Sequence, residues 1–233
     1  EDAIKKGLEF FGPKMKGMLL EAERLIQEKK PNSKMVLVHC WRGGMRSAAV
    51  SWLLDLYGFK VYTLIGGYKA FRNWVLNELS HSNPFQILGG NTGSGKTIVL
   101  QSLKNLNEAV VDLEGLAGHK GSAFGNIGLP KQPSQEMFEN KFAVEIHKNT
   151  TVLSEKEIWL EDESQRIGTV NIPQVLWNHI RTCPVYFLDI PFEERLNYLV
   201  ETYGKLDPIE LGEAIKRIQK RLGGLETKMA LQY

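Results

Sequence analysis

Cysteine is scarce in this sequence: Cys40 and Cys183 are the only two in 233 residues. That argues against a disulfide framework and points to a reducing, cytoplasmic setting. Paired zinc-type ligand motifs are absent, so a structural zinc site is not expected. No apolar run nears the roughly 20 residues that a membrane-spanning helix needs. The opening Glu1-Asp2-Ala3-Ile4-Lys5-Lys6 lacks the apolar stretch of a secretory leader, so membrane attachment is not expected. The chain does not begin with Met, and its abrupt opening reads as that of a trimmed chain or fragment. Internal repeats and low-complexity tracts are missing too. Charge of one sign is also in short supply, the formal net charge being +2. Residues 1–83 carry 13 Lys/Arg against 8 Asp/Glu, whereas residues 84–233 carry 16 against 19. A bulk nucleic-acid binder concentrates basic residues on one face; any RNA contact here must come from a local patch.

Hydrophobic residues make up 42% and charged residues 24%, a globular composition with room for one large domain or two small ones. Residues 13–30 place Met15, Met18, Leu19, Ala22, Leu25 and Ile26 at helical spacing, with Lys29-Lys30-Pro31-Asn32 as the stop. Met35-Val36-Leu37-Val38 reads as a buried parallel strand. A helix is expected over 47–57 with Gly58 ending it, a strand over 60–65 closed by Gly66-Gly67, and a helix over 70–79. The polar stretch 80–84 reads as a domain boundary, giving domains 1–82 and 83–233. In the second, strands are expected at 85–88, 109–113, 158–160 and 185–188, with helices between them. Two more helices are expected, near 192–203 and 207–222. The alternation of strand and helix predicts an α/β protein with parallel sheets.

Between the first strand and its helix runs His39-Cys40-Trp41-Arg42-Gly43-Gly44-Met45-Arg46-Ser47. A strand-to-helix loop of this length turns successive N–H groups inward and forms an oxyanion cradle. Cys40, near a helix N-terminus, is expected to have a lowered pKa. Arg46 is a bidentate anion clamp, and Gly43 and Gly44 allow the tight curl. Trp41, Arg42, Met45 and Ser47 complete the loop. The competing reading is a buried, inert cysteine. His39 is expected to pack under the loop without a catalytic role.

Gly90-Asn91-Thr92-Gly93-Ser94-Gly95-Lys96-Thr97 satisfies the Walker A pattern between an apolar strand and a helix. Its backbone N–H groups and helix N-terminus suit a polyphosphate, Lys96 reaches the outer phosphates, and Thr97 is placed to ligate magnesium. Glu161-Asp162-Glu163 follows the strand at 158–160, where an acidic partner for magnesium or water belongs; a solvated acidic turn is the alternative. Residues 115–134 hold five glycines together with His119 and Lys120, and read as an unstructured loop covering substrate at the sheet's carboxyl edge. Glu114, His119, Lys120, Gly121 and Ser122 are its candidate substrate residues. Arg166, Arg195, Arg217 and Arg221 are candidate anion contacts.

The cysteine loop resembles two families. Its His, Cys, Gly, Arg, Ser spacing is that of cysteine-dependent phosphatases, while rhodanese-like sulfurtransferases use a similar loop, usually one residue shorter. The segment Val61-Tyr62-Thr63-Leu64-Ile65-Gly66-Gly67-Tyr68-Lys69-Ala70-Phe71 resembles the end of a rhodanese domain. A rhodanese-like domain with Cys40-Trp41-Arg42-Gly43-Gly44-Met45-Arg46-Ser47, fused to a P-loop domain, resembles the tRNA 2-selenouridine synthases. Asp112 to Gly125 and Glu161-Asp162-Glu163-Ser164 match that family further, and Arg221-Leu222-Gly223-Gly224 more weakly. The resemblance implies a partial rhodanese-like parallel sheet domain, with its first strands missing before Glu1, followed by a P-loop NTPase-like parallel α/β domain that continues past Tyr233.

It also implies chemistry on the wobble 2-thiouridine of tRNA: S-geranylation from geranyl diphosphate, then replacement of the S-geranyl group by selenium from selenophosphate. Cys40 would carry the selenium, with Arg46 and the loop amides holding the selenophosphate oxygens. The phosphate loop would hold the prenyl diphosphate. No tightly bound cofactor is expected. One rival is a cysteine-dependent phosphatase fused to a nucleotide-binding module. Another is a rhodanese part that only docks tRNA or a sulfur-relay protein.

Overall fold

A computed structural model describes residues 2–29, 34–152 and 156–232. The chain divides into two compact units, Glu1–Trp74 and Val75–Tyr233. The division falls inside a helix, earlier than the polar stretch at 80–84. Val75 and Leu79 are buried there, and Glu78 pairs with His147 at 3.7 Å, so the helix's last turn belongs to the second unit.

The first unit runs α1 (Asp2–Lys29), β1 (Met35–Val38), α2 (Met45–Leu56), β2 (Lys60–Thr63) and the start of α3 (Gly67–Glu78). β1 and β2 pair in parallel, Met35 opposite Lys60 and Val38 opposite Thr63, with α2 as the crossover. The stop at residues 30–32 lies outside the described residues. β1 departs from the expected buried strand. Met35 and Leu37 are exposed while Val36 and Val38 are half-buried. The pleat sends alternate side chains to opposite faces, and in this two-stranded sheet one of those faces stays open. α2 begins at Met45, two residues ahead of the expected start, because Gly44 takes the N-cap position. At its other end Gly58 adopts φ 94°.

The second unit contains β3 (Phe85–Gly90), α4 (Lys96–Asn105), β4 (Ala109–Val111), α5 (Leu113–Ala117), α6 (Gln135–Val152) and β5 (Ile158–Glu161). There follow β6 (Arg166–Ile167), β7 (Val170–Asn171), α7 (Gln174–Ile180), β8 (Val185–Leu188), α8 (Phe192–Tyr203), α9 (Pro208–Arg217), α10 (Gln219–Leu222) and α11 (Gly224–Ala230). Four strands make a parallel sheet in the order β4-β5-β3-β8. Phe85, Ile87, Ile158 and Leu160 are fully buried in it, as in a parallel sheet covered by helices, whereas Val185, Tyr186 and Phe187 of the edge strand β8 are exposed. Phe138, Phe142 and Ile146 recur on α6 at four-residue spacing and are fully buried too. All four strands point their carboxyl ends toward the same edge, the usual place for ligands in open α/β sheets.

Three details depart from the sequence reading. The glycine-rich stretch is not wholly irregular. Asp112 caps α5 by accepting a hydrogen bond from Gly115 N–H at 2.8 Å, so its first residues are helical. β6 and β7 form a two-residue antiparallel hairpin too short for any periodicity to announce. The helix expected over 207–222 breaks at Ile218, which serves as C-cap of α9 and N-cap of α10.

Candidate active site

The first unit gathers the cysteine loop against the turn after β2. Tyr68 N–H donates to Cys40 O at 2.9 Å, and Lys69 N–H to Trp41 O at 2.9 Å. Gly43 has φ +65°, and a Cβ there would lie 2.7 Å from Gly67 N. Only glycine lets the two backbones meet so closely. This contact explains why a Gly-Gly pair more than 20 residues downstream completes the loop. Tyr68 packs its ring against both Trp41 and His39, at centroid distances of 5.7 and 6.0 Å. His39 is exposed beside Tyr68, so it does not lie under the loop.

Cys40 is half-buried and free. Ser47 Oγ is 3.3 Å from its sulfur, and Gly44 N–H donates to the sulfur at 3.3 Å. The Ser47 hydroxyl first, and then the Gly44 N–H, bring its pKa down to about 6. At neutral pH the sulfur is therefore largely thiolate, the form that attacks electrophiles. Ser47 itself is buried. Trp41, Arg42, Met45 and Arg46 are all exposed, with Arg46 in the first turn of α2.

In the second unit the phosphate loop bends from β3 into α4 beside a cleft of about 1130 Å³. Gly90 and Thr92 to Thr97 line this cleft; Asn91 is exposed outside its lining. Lys96 Nζ donates to Gly90 O at 3.1 Å and lies 3.7 Å from Glu161 Oε1. Arg195 on α8 donates to Ile190 O and to Thr92 O, both at 3.1 Å. It braces the loop from behind and does not reach into the cleft as an anion contact. Arg221 lines the cleft. Arg166 bonds Gly168 O in its own hairpin at 2.9 Å, and Arg217 bonds Asn126 Oδ1 at 3.1 Å.

The acidic triplet separates into two roles. Asp162 pairs with Arg181 at 2.5 Å. Glu161 and Glu163 instead join Glu114, each offering an oxygen within 4.8 Å of the others. Burial, reinforced by Glu161 and Glu163, pushes the Glu114 carboxyl up to about 8. Burial and then Glu163 raise Glu161 to about 7, and burial raises Glu163. Its place in the sequence groups Glu114 with the substrate loop. Its partnership with the triplet is hidden in the sequence, because the residues are 47 and 49 positions apart and lie just beyond strands that pair only in the fold.

The glycine-rich segment is held in place. Lys120 N–H donates to Gly125 O at 2.9 Å, Gln132 Nε2 donates to Ala117 O and Ile167 O at 2.9 and 3.1 Å, and Ser122 Oγ meets Tyr203 Oη at 3.0 Å. Lys120, Gly121, Ser122, Ala123 and Phe124 line the cleft. His119 does not. It is buried outside the cleft lining, and burial lowers its pKa. Sequence reasoning also missed Tyr198, Leu199 and Tyr203 of α8, which line the cleft's far wall. Their i, i+1, i+5 spacing on an amphipathic helix looks like ordinary packing.

Residues 83–207 match the family model described as the tRNA 2-selenouridine synthase AAA domain. The chain belongs to the tRNA 2-selenouridine synthase family. Residues 11–73 match the rhodanese-like domain model. A tRNA 2-selenouridine synthase of Sulfurovum sp. is 37% identical over 84% of this chain and 57% of its own length. That of Hydrogenovibrio crunogenus is 35% identical over 96% and 64%, and that of Cupriavidus pinatubonensis 39% identical over 71% and 45%. The chain thus spans less than two thirds of these curated relatives. No solved structure is significantly similar to it. Among the described residues no helix is long and apolar enough to cross a membrane.

Proposed function

We propose that the chain converts wobble 2-thiouridine of tRNA to 2-selenouridine through an S-geranyl intermediate, in the cytoplasm. The observation that carries this reading is the pairing of an ionised cysteine in an anion cradle with a phosphate loop, in a chain whose relatives bear the synthase name. In the first step the thiocarbonyl sulfur bonds to the first carbon of geranyl diphosphate and the carbon–oxygen bond breaks. Diphosphate leaves, and the nucleobase gives up a proton. The loop amides and Lys96 stabilise that leaving group where its charge develops. Phe124, Tyr198, Leu199, Tyr203 and Leu222 offer the alkyl chain an apolar wall beside the loop, which favours a prenyl diphosphate over a nucleotide.

In the second step selenium from selenophosphate bonds to the same base carbon, geranyl thiol departs, and water releases phosphate. In this direct transfer selenium stays at the selenide level. The cradle amides and Arg46 hold the selenophosphate oxygens. Carriage of selenium on Cys40 is the further element of this reading. It adds a two-electron step: the Cys40 thiolate bonds to selenium, the Se–P bond breaks and phosphorus leaves reduced, as phosphite. A cellular thiol then attacks the Cys40 sulfur, releasing selenide to the base carbon, and a second thiol frees Cys40 with formation of a disulfide. Radioactive selenium on the wild-type chain but not on Cys40→Ala, with phosphite released, supports carriage; phosphate release with no label assigns Cys40 to the cradle alone.

Nucleoside mass spectrometry tests the whole reading in cells lacking the gene. Full-length wild-type protein restores selenouridine and Cys40→Ala does not. Absence of selenouridine with both, or hydrolysis of an aryl phosphate that disappears in Cys40→Ser, overturns it.

A further inference from the structure

Three carboxylates at the base of the P-loop cleft meet with too little positive charge around them. Glu114 comes from α5, Glu161 from the end of β5 and Glu163 from just beyond it. Asp112 adds negative charge that both Glu114 and Glu161 feel. Asp162 is occupied by Arg181. Against them stands Lys96, 3.7 Å from Glu161 Oε1 and also engaged with Gly90 O. Lys120 and Arg221, the other basic residues lining the cleft, are exposed.

A second observation is independent of the charge count. Glu161 is 3% exposed, lines the cleft, and its Oε2 has no hydrogen-bond partner. Buried polar atoms almost always have one, so an unpartnered carboxylate oxygen marks the place of a group that is not protein. The space beside it is kept open by glycine. At Gly121, φ +63°, a Cβ would lie 2.6 Å from Glu163 Oε1 and 2.8 Å from Glu114 Oε1.

We propose that Glu114, Glu161 and Glu163 bind one hard divalent cation, Mg2+ or Mn2+, at the mouth of the phosphate loop. An all-carboxylate set suits oxygen-seeking cations and offers nothing to thiophilic ones. Glu114 lies outside both the phosphate loop and the acidic triplet, and it is what turns two carboxylates into a three-ligand centre. Such a cation neutralises the cluster and has coordination positions left for water and for the oxyanion seated on the loop. The inference rests on the geometry of this cluster and stands apart from the identity of the diphosphate.

The test is metal binding to the full chain, stripped with a chelator and given no substrate. Free Mn2+ is followed by electron paramagnetic resonance, and MgCl2 is added as competitor. One Mn2+ per chain is expected, displaced by Mg2+. Glu114→Gln and Glu161→Gln should each weaken binding at least tenfold, whereas Asp162→Asn, whose carboxylate is already paired, should change it less than threefold. Thermal unfolding without metal separates ligand loss from misfolding. Glu114→Gln should unfold no earlier than the parent, because the carboxyl that burial and its neighbours disfavour as an anion is gone, and MnCl2 should stabilise the parent more than the variant. No Mn2+ bound at millimolar concentration overturns the proposal. So does undiminished binding in both variants, or binding lost together with early unfolding of the metal-free Glu114→Gln chain.

Discussion

Ser47 Oγ lies 3.3 Å from Cys40 Sγ and 2.9 Å from Gly44 O, and its one proton can serve either acceptor. When Cys40 ionises, the sulfur is the stronger acceptor and the hydroxyl turns to it. Alkylation by iodoacetamide should therefore show a midpoint near pH 6, and Ser47→Ala should move that midpoint up toward the ordinary thiol value. Linkage fixes the sign for stability. Because the folded pKa lies below the unfolded one, the Cys40 contribution is full above about pH 9 and is lost as pH falls through about 6. The melting temperature of the parent relative to Cys40→Ala should accordingly rise between pH 6 and pH 9. Gly121 supplies a second test. Its left-handed φ and the carboxylates beside it mean that Gly121→Ala should cost about 1–3 kcal/mol in urea unfolding. The lowered cysteine pKa was readable from sequence, since a Cys before a helix start with glycines between announces it. The burial of His119 was not. Its surroundings come from Gly125 and Gly168, whose approach no local pattern encodes.

Among the elements, two strands of the second unit's sheet could be read directly: β5 and β8 fall where the apolar runs 158–160 and 185–188 put them, although β8 is largely exposed where β5 is buried. β4 stops at Val111, two residues short of the expected end, because Asp112 starts a helix instead. Short or capped elements escape periodicity, which needs several residues to register. The same limit hid the role of α8. Its amphipathic pattern announces a helix but not that Arg195 reaches the carbonyl of Thr92. That bond holds the phosphate loop from a distance of 103 residues along the chain. Arg195→Met should leave the fold intact and lower pyrophosphate affinity about tenfold, the size of one charge-assisted hydrogen bond. Isothermal titration is the measurement, and unchanged affinity would show that the loop stands without its brace.

At the scale of the whole molecule, the two sites are built in separate compact units, so their variants should separate cleanly. Lys96→Met should weaken pyrophosphate binding about tenfold to a hundredfold while leaving the Cys40 alkylation midpoint where it was. Cys40→Ala should leave pyrophosphate binding unchanged. Calorimetry on the parent and both variants, with alkylation kinetics on the parent and Lys96→Met, decides the matter, and crossed effects would mean that the sites depend on each other. The fused pair of motifs made this division legible in sequence; the split within α3 was not, since a helix carries no mark where one unit ends.

The frame around Cys40 is made of main chain. Tyr68 and Lys69 donate to it, Gly43 rests on Gly67, and Gly44 N–H faces the sulfur, while Arg42 and Met45 are exposed. A reactive centre assembled in this way uncouples its nucleophile from its rim. Those two side chains are free to be retailored to a different incoming molecule, much as a lens can be exchanged without touching the camera body, so long as the glycines and Ser47 stay.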